Sequence, residues 1–134
     1  MNWGRVLAGG AVAGLVMNAA DFVQHGVLLA GTYKKYTDAF SQTPVSPLYF
    51  LAISLCVGIF TAILFGKTRA SWAPGWKGGL SFGFFFALAI FFLNFYDPLV
   101  IGGFPYHLAW CWGGINVVDG LLGGAVMGAI IRRE

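Results

Sequence analysis

Long apolar runs dominate the pattern of hydrophobic and polar positions along this chain. Four runs each reach the roughly 20 residues that a helix needs to cross a hydrocarbon core of about 30 Å. The period-2 alternation of a membrane strand is missing, and a backbone in lipid must satisfy its own hydrogen bonds, which favours helices. The pattern therefore predicts an all-α membrane protein, a bundle of four transmembrane helices. These helices are placed at about residues 6–30, 47–66, 78–96 and 106–131.

Composition supports the membrane class. Hydrophobic residues make up 58% of the 134 positions and charged residues only 10%, whereas about a quarter of the residues in a soluble domain are charged. A chain of this composition cannot cover a water-soluble surface. We therefore expect a single transmembrane domain over residues 1–134, with the lipid bilayer as its main surroundings.

The eight basic residues are divided unequally between the two predicted sides of the membrane. Arg5, Lys67, Arg69, Lys77, Arg132 and Arg133 lie on one side, and Lys34 and Lys35 lie on the other. The positive-inside rule then places both termini in the cytoplasm, with the chain in an inner (plasma) membrane of bacterial type. The net charge of +3 is read as this topology signal, and no nucleic-acid partner is expected.

One face of the first helix carries an unusual stripe. At about 100° per residue, five positions share roughly 80° of arc: Gly10, Gly14, Asn18, Asp21 and His25. The first half of the stripe is glycine and the second half is polar. An aspartate at the bilayer centre costs at least about 2.5–3.5 kcal/mol on insertion scales. The stripe therefore needs either a helix partner or a ligand.

Two other helices repeat this plan. The pattern Asn-x-x-Asp occurs as Asn18/Asp21, Asn94/Asp97 and Asn116/Asp119, and the i,i+3 spacing puts each pair on one helix face. Glycines accompany each pair, in the half of the helix that the charge rule places toward the cytoplasm. Small-x-x-x-small spacing lets helix backbones approach closely, as in a glycine zipper. The predicted packing glycines are Gly10, Gly14, Gly79, Gly83, Gly120, Gly124 and Gly128.

The polar groups predict a ligand or ion pocket that opens toward the outer side. Its expected members are Asn18, Asp21, His25, Asn94, Asp97, Asn116 and Asp119. The pocket should lie between the first, third and fourth helices, with the second helix peripheral. No Lys or Arg lies within a predicted helix to pair with these acids. Two readings stay open: hydrogen-bonded contacts that join the helices, or a site for a proton, a cation or a small polar ligand.

Cofactor chemistry has weaker support in the sequence. His25 and His107 lie at similar predicted depth and are candidate ligands for haem or another metal, but lone histidines near an interface are more often simply hydrogen-bonded, so no cofactor is predicted. Hydrolase, metalloprotease and nucleotide-binding motifs are missing, and no catalytic residue is assigned. Cys56 and Cys111 are not part of a CxxC motif.

A weak internal repeat also appears. Residues 3–14 can be laid on residues 76–87, which matches a tryptophan, a leucine and a glycine. The chain would then consist of two repeated helical hairpins with the same orientation in the membrane.

Three functional hypotheses follow. The first is a non-catalytic bundle that acts as a subunit or assembly factor of a larger membrane complex, because the loops are short and the chain is small. The second is a small proton- or cation-coupled transporter or channel that uses Asp21 and Asp119. The third is an electron carrier that binds haem or a metal through His25 and His107. A homo-oligomer or a larger membrane complex is expected in each case.

Overall fold

The computed structural model describes residues 1–132, and the regular structure within that range is helical. Arg133, which was counted in the charge rule, and Glu134 lie outside the described residues. Four helical segments are long and apolar enough to cross a membrane: Trp3–Leu28, Pro47–Lys67, Gly75–Val100 and Tyr106–Ile130. The prediction of four apolar helices is confirmed, and the protein is an integral membrane protein.

The four long helices are called α1 to α4 in chain order. They are α1 (Trp3–Val23), α2 (Pro47–Lys67), α3 (Gly75–Leu93) and α4 (Tyr106–Ile130). A π-helical turn, Gln24–Leu28, extends α1, and a 3-10 turn, Asn94–Tyr96, extends α3 into the short helix Asp97–Val100. A further short helix, Ala30–Tyr33, begins the long loop between α1 and α2.

Local sequence explains where these helices begin. The Asn2 side chain accepts a hydrogen bond from the Arg5 backbone N–H at 3.1 Å, which caps α1. The Ser46 hydroxyl does the same for the Leu48 N–H at 3.4 Å, and Pro47 occupies the first turn of α2, where its missing N–H costs nothing.

The helices are arranged in the order α2, α1, α4, α3, with each packed on the next. Helices α2 and α3 stand at the two ends of this series and meet through the rings of Phe65 and Phe82, whose centroids are 5.0 Å apart. The main apolar core surrounds this contact and includes Val6 and Met127. We call this side of the molecule, where Met1 and Arg132 lie, the terminal end, and the opposite side the long-loop end.

Glycines allow two of the helix pairs to approach closely. A Cβ atom added to Gly14 of α1 would lie 2.6 Å from the Ser54 carbonyl oxygen and 2.9 Å from the Leu55 Cα on α2. A Cβ atom on Gly79 of α3 would lie 2.7 Å from the Gly128 Cα on α4. Neither position has room for a side chain, so these helix contacts within one chain depend on glycine.

The second helix stands at one end of the series but lines the central cavity, whereas the sequence-based expectation placed the pocket between the first, third and fourth helices. It packs along α1 and contributes to the central cavity described below. The reason is Gly58, where an added Cβ would lie 2.7 Å from the Gly14 backbone nitrogen. The expectation considered the polar residues of α2, which are few, and overlooked its glycine.

Candidate functional site

A cavity of about 180 Å³ lies between the four long helices. Its polar lining comes from Asp21 on α1, from Ser54 and Thr61 on α2, and from Asn116 and Asp119 on α4. Its remaining lining is apolar: Met17, Ile53, Val57, Gly83, Phe86, Ala87, Ile90, Gly120, Gly124 and Met127. Since Ile53 and Val57 are also exposed, the cavity reaches the apolar surface of the bundle beside α2.

Two carboxyl groups meet in this cavity. The side chain of Asp119, which is buried, and that of Asp21 both line it. Asp119 also accepts a hydrogen bond from the Gln24 amide nitrogen at 3.0 Å. An ionised carboxylate can only accept hydrogen bonds, so a bond between two carboxyl groups requires a proton on one of them. The geometry therefore suits a pair that shares one proton.

His25 connects this pair to the long-loop end. Its Nε2 atom lies 3.9 Å from an Asp21 carboxylate oxygen. Its other ring nitrogen, Nδ1, forms a short hydrogen bond with the Tyr33 hydroxyl. The imidazole thus stands between the carboxyl pair and a phenol of the long loop.

The direction of the bond between His25 and Tyr33 goes with the tautomer of His25. Trp112 donates its indole N–H to the Tyr33 oxygen at 2.9 Å, and an indole can only donate. The Tyr33 hydroxyl still has its own hydrogen and a second lone pair for His25 Nδ1. When the hydroxyl donates, the hydrogen of a neutral imidazole lies on Nε2, which faces Asp21. In that tautomer the donors run in one direction, from Trp112 through Tyr33 and His25 toward the carboxyl pair.

Tyr33 lies outside the four membrane-spanning segments, and its phenol is half-buried. Burial raises the pKa of Tyr33 above its ordinary value, and the hydrogen bond from Trp112 opposes this change in part. The negative charge of Asp21 acts in the same direction as burial. The hydroxyl therefore stays protonated at neutral pH and remains a hydrogen-bond donor.

Aromatic rings cover this end of the site. We define the aromatic cap as Tyr33, Phe40, Phe104 and Trp112. Phe40 packs on Tyr33 with centroids 4.9 Å apart, and Phe104 packs edge-on against Trp112 at 5.1 Å. The Gln42 amide donates to the Tyr33 and Phe40 carbonyl oxygens, which fixes the loop that carries two of the rings. The cap covers His25 in part and leaves 37% of its side chain exposed.

The π-helical turn changes the geometry of the first stripe. The Leu29 N–H bonds to the Gln24 carbonyl oxygen at 3.0 Å, five residues back, which widens the turn. The assumption of 100° per residue stops being valid at this point. Gln24, which the sequence reasoning missed, is the first residue of this turn and donates to Asp119. Its signal was present: an amide three residues after Asp21 in an apolar helix.

The other predicted pocket residues have different surroundings. Asn18 accepts a hydrogen bond from the Ser54 hydroxyl at 3.4 Å, which joins α1 to α2. The Asn94 amide donates to the Ile90 and Phe91 carbonyl oxygens of its own helix at 3.1 Å each. Asp97 begins the short helix that follows α3. Neither Asn94 nor Asp97 lines the cavity.

The two histidines have different partners. The exposed ring of His107 packs near Tyr36, with centroids 6.0 Å apart, whereas His25 is bonded to Tyr33. Over residues 1–132, no group of three or more His, Cys, Asp or Glu side chains is placed to hold a metal ion. The two cysteines, Cys56 and Cys111, are free thiols.

Comparison of the chain with protein-family models, with curated proteins and with solved structures finds no match.

Proposed function

We propose that the protein is a small proton-coupled cation transporter in which Asp21 and Asp119 bind the coupled proton. The observation that carries this proposal is the meeting of two carboxyl groups, from two different helices, at one cavity of about 180 Å³. This is the second of the three hypotheses that the sequence left open.

The pair provides a simple exchange mechanism. With one proton shared, the two carboxyl groups carry a single negative charge in surroundings where charge is costly. A cation that enters the cavity replaces the proton, and the proton leaves as the cation binds. Since both ligands use the same oxygen atoms, they compete, and competition for one site couples the movement of one to that of the other.

His25 and Tyr33 provide a route for the proton. The Nε2 atom of His25 faces Asp21, and its Nδ1 is hydrogen-bonded to Tyr33. An imidazole can take a proton on one nitrogen and release one from the other. The proton therefore passes between the pair and the aromatic cap, at the long-loop end.

The cavity favours this role over a purely structural one. Carboxyl groups that only joined helices would lie in a packed interface, since voids larger than a water molecule are few in protein interiors. Here Asp21, Asn116 and Asp119 face open space instead. The hypothesis of a subunit or assembly factor stays a prediction, as does a homo-oligomer.

A vesicle assay with a matched pair of variants tests the proposal. The protein is reconstituted into vesicles with an acidic interior, and internal pH is followed by a dye after external Na⁺, K⁺ or tetraphenylphosphonium is added. We expect at least one of these cations to make the interior alkaline. Asp119→Asn should slow that change by about two orders of magnitude, as for loss of a group that transfers the proton.

Asp97→Asn is the matched control, because it removes an equal charge from a residue that does not line the cavity. This control should keep the rate of the unchanged protein. The proposal fails if no cation moves protons faster than in empty vesicles, or if Asp119→Asn behaves like Asp97→Asn.

A further inference from the structure

A second cavity lies at the terminal end, far from the carboxyl pair in the fold. It measures about 280 Å³ and lies between the start of α1, the end of α2 and the end of α4. We call it the basic groove. Its lining residues are Met1, Asn2, Arg5, Gly66, Lys67, Arg69, Ala70, Ile131 and Arg132.

Four of the lining side chains are cationic, and each comes from a different part of the chain. Arg5 belongs to the first turn of α1, Lys67 ends α2, Arg69 lies in the following turn, and Arg132 follows α4. The proton-binding proposal uses none of them.

Within residues 1–132, the acidic side chains lie outside the basic groove. Asp21 and Asp119 are in the central cavity, and Asp38 and Asp97 belong to the loops of the long-loop end. The described part of the basic groove is therefore strongly positive.

Arg69 forms the buried base of the groove. Its guanidinium donates to the carbonyl oxygens of Ile131 at 2.9 Å, Trp72 at 3.1 Å and Ala73 at 3.0 Å. These bonds attach the turn after α2 to the end of α4. In contrast, Arg5, Lys67 and Arg132 are exposed at the groove. The groove is thus a fixed depression with cationic side chains that a ligand can reach.

The position of the groove along the membrane normal limits what it can bind. Its residues lie where three membrane spans begin or end, namely Trp3–Leu28, Pro47–Lys67 and Tyr106–Ile130. Such positions are at the level of the lipid headgroups. Leu7 and Leu64, which are close in sequence to Arg5 and Lys67, are exposed apolar side chains on the adjoining surface. A ligand with a phosphate in the groove and acyl chains along the helices would match both features.

We propose that the basic groove binds the phosphate of an anionic lipid headgroup. The planar guanidinium of Arg5 can donate two hydrogen bonds to two phosphate oxygens, and Lys67 adds a point charge. Basic pockets between transmembrane helices are a recurring site for anionic headgroups. Because the groove lies at the level of the lipid headgroups, its expected ligand is a phosphate rather than a carboxylate.

Lipid retention measured by native mass spectrometry tests this site. The protein, purified in an uncharged detergent, is titrated with phosphatidylglycerol and, separately, with phosphatidylcholine. We expect preferential retention of phosphatidylglycerol, and a loss of about tenfold in its affinity in the double variant Arg5→Gln, Lys67→Gln. Both residues are exposed. If the double variant does not fold, the single variants Arg5→Gln and Lys67→Gln replace it in the test, and each should show part of the loss.

Lys77→Gln is the matched control. Lys77 lies at the same end of the molecule, but its ammonium group packs over the Trp76 ring at 5.9 Å and does not line the groove. This variant should retain phosphatidylglycerol within about twofold of the unchanged protein. An equal loss in Lys77→Gln would show general charge attraction and overturn the proposal.

Inorganic phosphate distinguishes a lipid from a free anion. In a competition arm, millimolar phosphate is added to the complex with phosphatidylglycerol. Retention of the lipid supports the proposed source, because the acyl chains add contacts that phosphate lacks. Displacement of the lipid by phosphate, or equal retention of both lipids, would contradict the proposal.

Discussion

The Tyr33 hydroxyl joins two parts of the site. It accepts a hydrogen bond from Trp112 and shares another with His25, so it connects the aromatic cap to the group beside Asp21. Its protonation state decides the direction of that second bond. As a phenol it can donate to His25, whereas as a phenolate it can only accept. The route toward the carboxyl pair is therefore expected to depend on pH in the alkaline range.

An absorbance titration measures this residue directly. The difference between the unchanged protein and Tyr33→Phe gives the Tyr33 phenolate signal, and its midpoint should lie above the ordinary pKa of about 10, because burial raises the pKa of Tyr33. Trp112→Phe should raise that midpoint further, since it removes a hydrogen bond that lowers the pKa.

The raised pKa of Tyr33 also determines how the stability of the protein changes with pH. The folded-state pKa of Tyr33 is raised above the unfolded value. Stability from the neutral phenol is therefore fully present below pH about 10 and is lost as pH rises through the folded-state pKa. A midpoint at or below the ordinary value would show that the phenol is not buried as described.

The acidic residues were the part of the site that sequence could predict. An aspartate within an apolar run is costly, which is sufficient to single out Asp21 and Asp119. Tyr33 gave no such signal, because a tyrosine in a loop is ordinary. Its position depends on how the long loop folds back over α4, and no local pattern encodes that.

At the scale of single elements, glycines determine how close the helices come. Gly14 faces the backbone of α2, and Gly79 faces the backbone of α4. Neither contact can be widened by rotating a side chain, because the opposing atoms are main-chain atoms. The position of α2, and with it one wall of the cavity, therefore depends on the contact at Gly14.

Gly14→Ala tests this dependence. The added Cβ would lie 2.6 Å from the Ser54 carbonyl oxygen, so α2 must shift. We expect a loss of about 1–3 kcal/mol in the free energy of unfolding, measured in mixed micelles. Gly114→Ala is the control, because nothing lies within 4 Å of its added Cβ. It should be neutral or stabilising by about 0.5–1 kcal/mol, and equal losses in both variants would contradict the packing account.

The ends of the helices illustrate what local sequence does and does not encode. The start of α2 at Pro47, after Ser46, agrees with the predicted residue 47, whereas α1 begins at Trp3, three residues before the predicted start, because the cap at Asn2 was not considered. The π-helical turn Gln24–Leu28 carries no comparable signal. Gln24, at its start, donates to Asp119, and its i,i+3 spacing from Asp21 is a signal that the sequence reasoning did not use.

At the scale of the whole molecule, the order α2, α1, α4, α3 creates the cavity. The two outer helices meet near the terminal end, through Phe65 and Phe82, and the cavity lies between them. Sequence predicted the four helices because apolar length is a strong signal. It did not predict this order, because each helix has glycine or polar faces that would fit several neighbours. The cytoplasmic position of both termini and the internal repeat stay predictions.

The central claim, that Asp21 and Asp119 share a proton inside the membrane, is tested most directly by infrared spectroscopy. The protein in lipid bilayers is titrated with acid and base, and the C=O stretch of a protonated carboxylic acid is followed. We predict a band that changes with bulk pH, is lost in Asp119→Asn and survives in Asp97→Asn. A band that survives in Asp119→Asn, or that is lost in Asp97→Asn, would contradict the account.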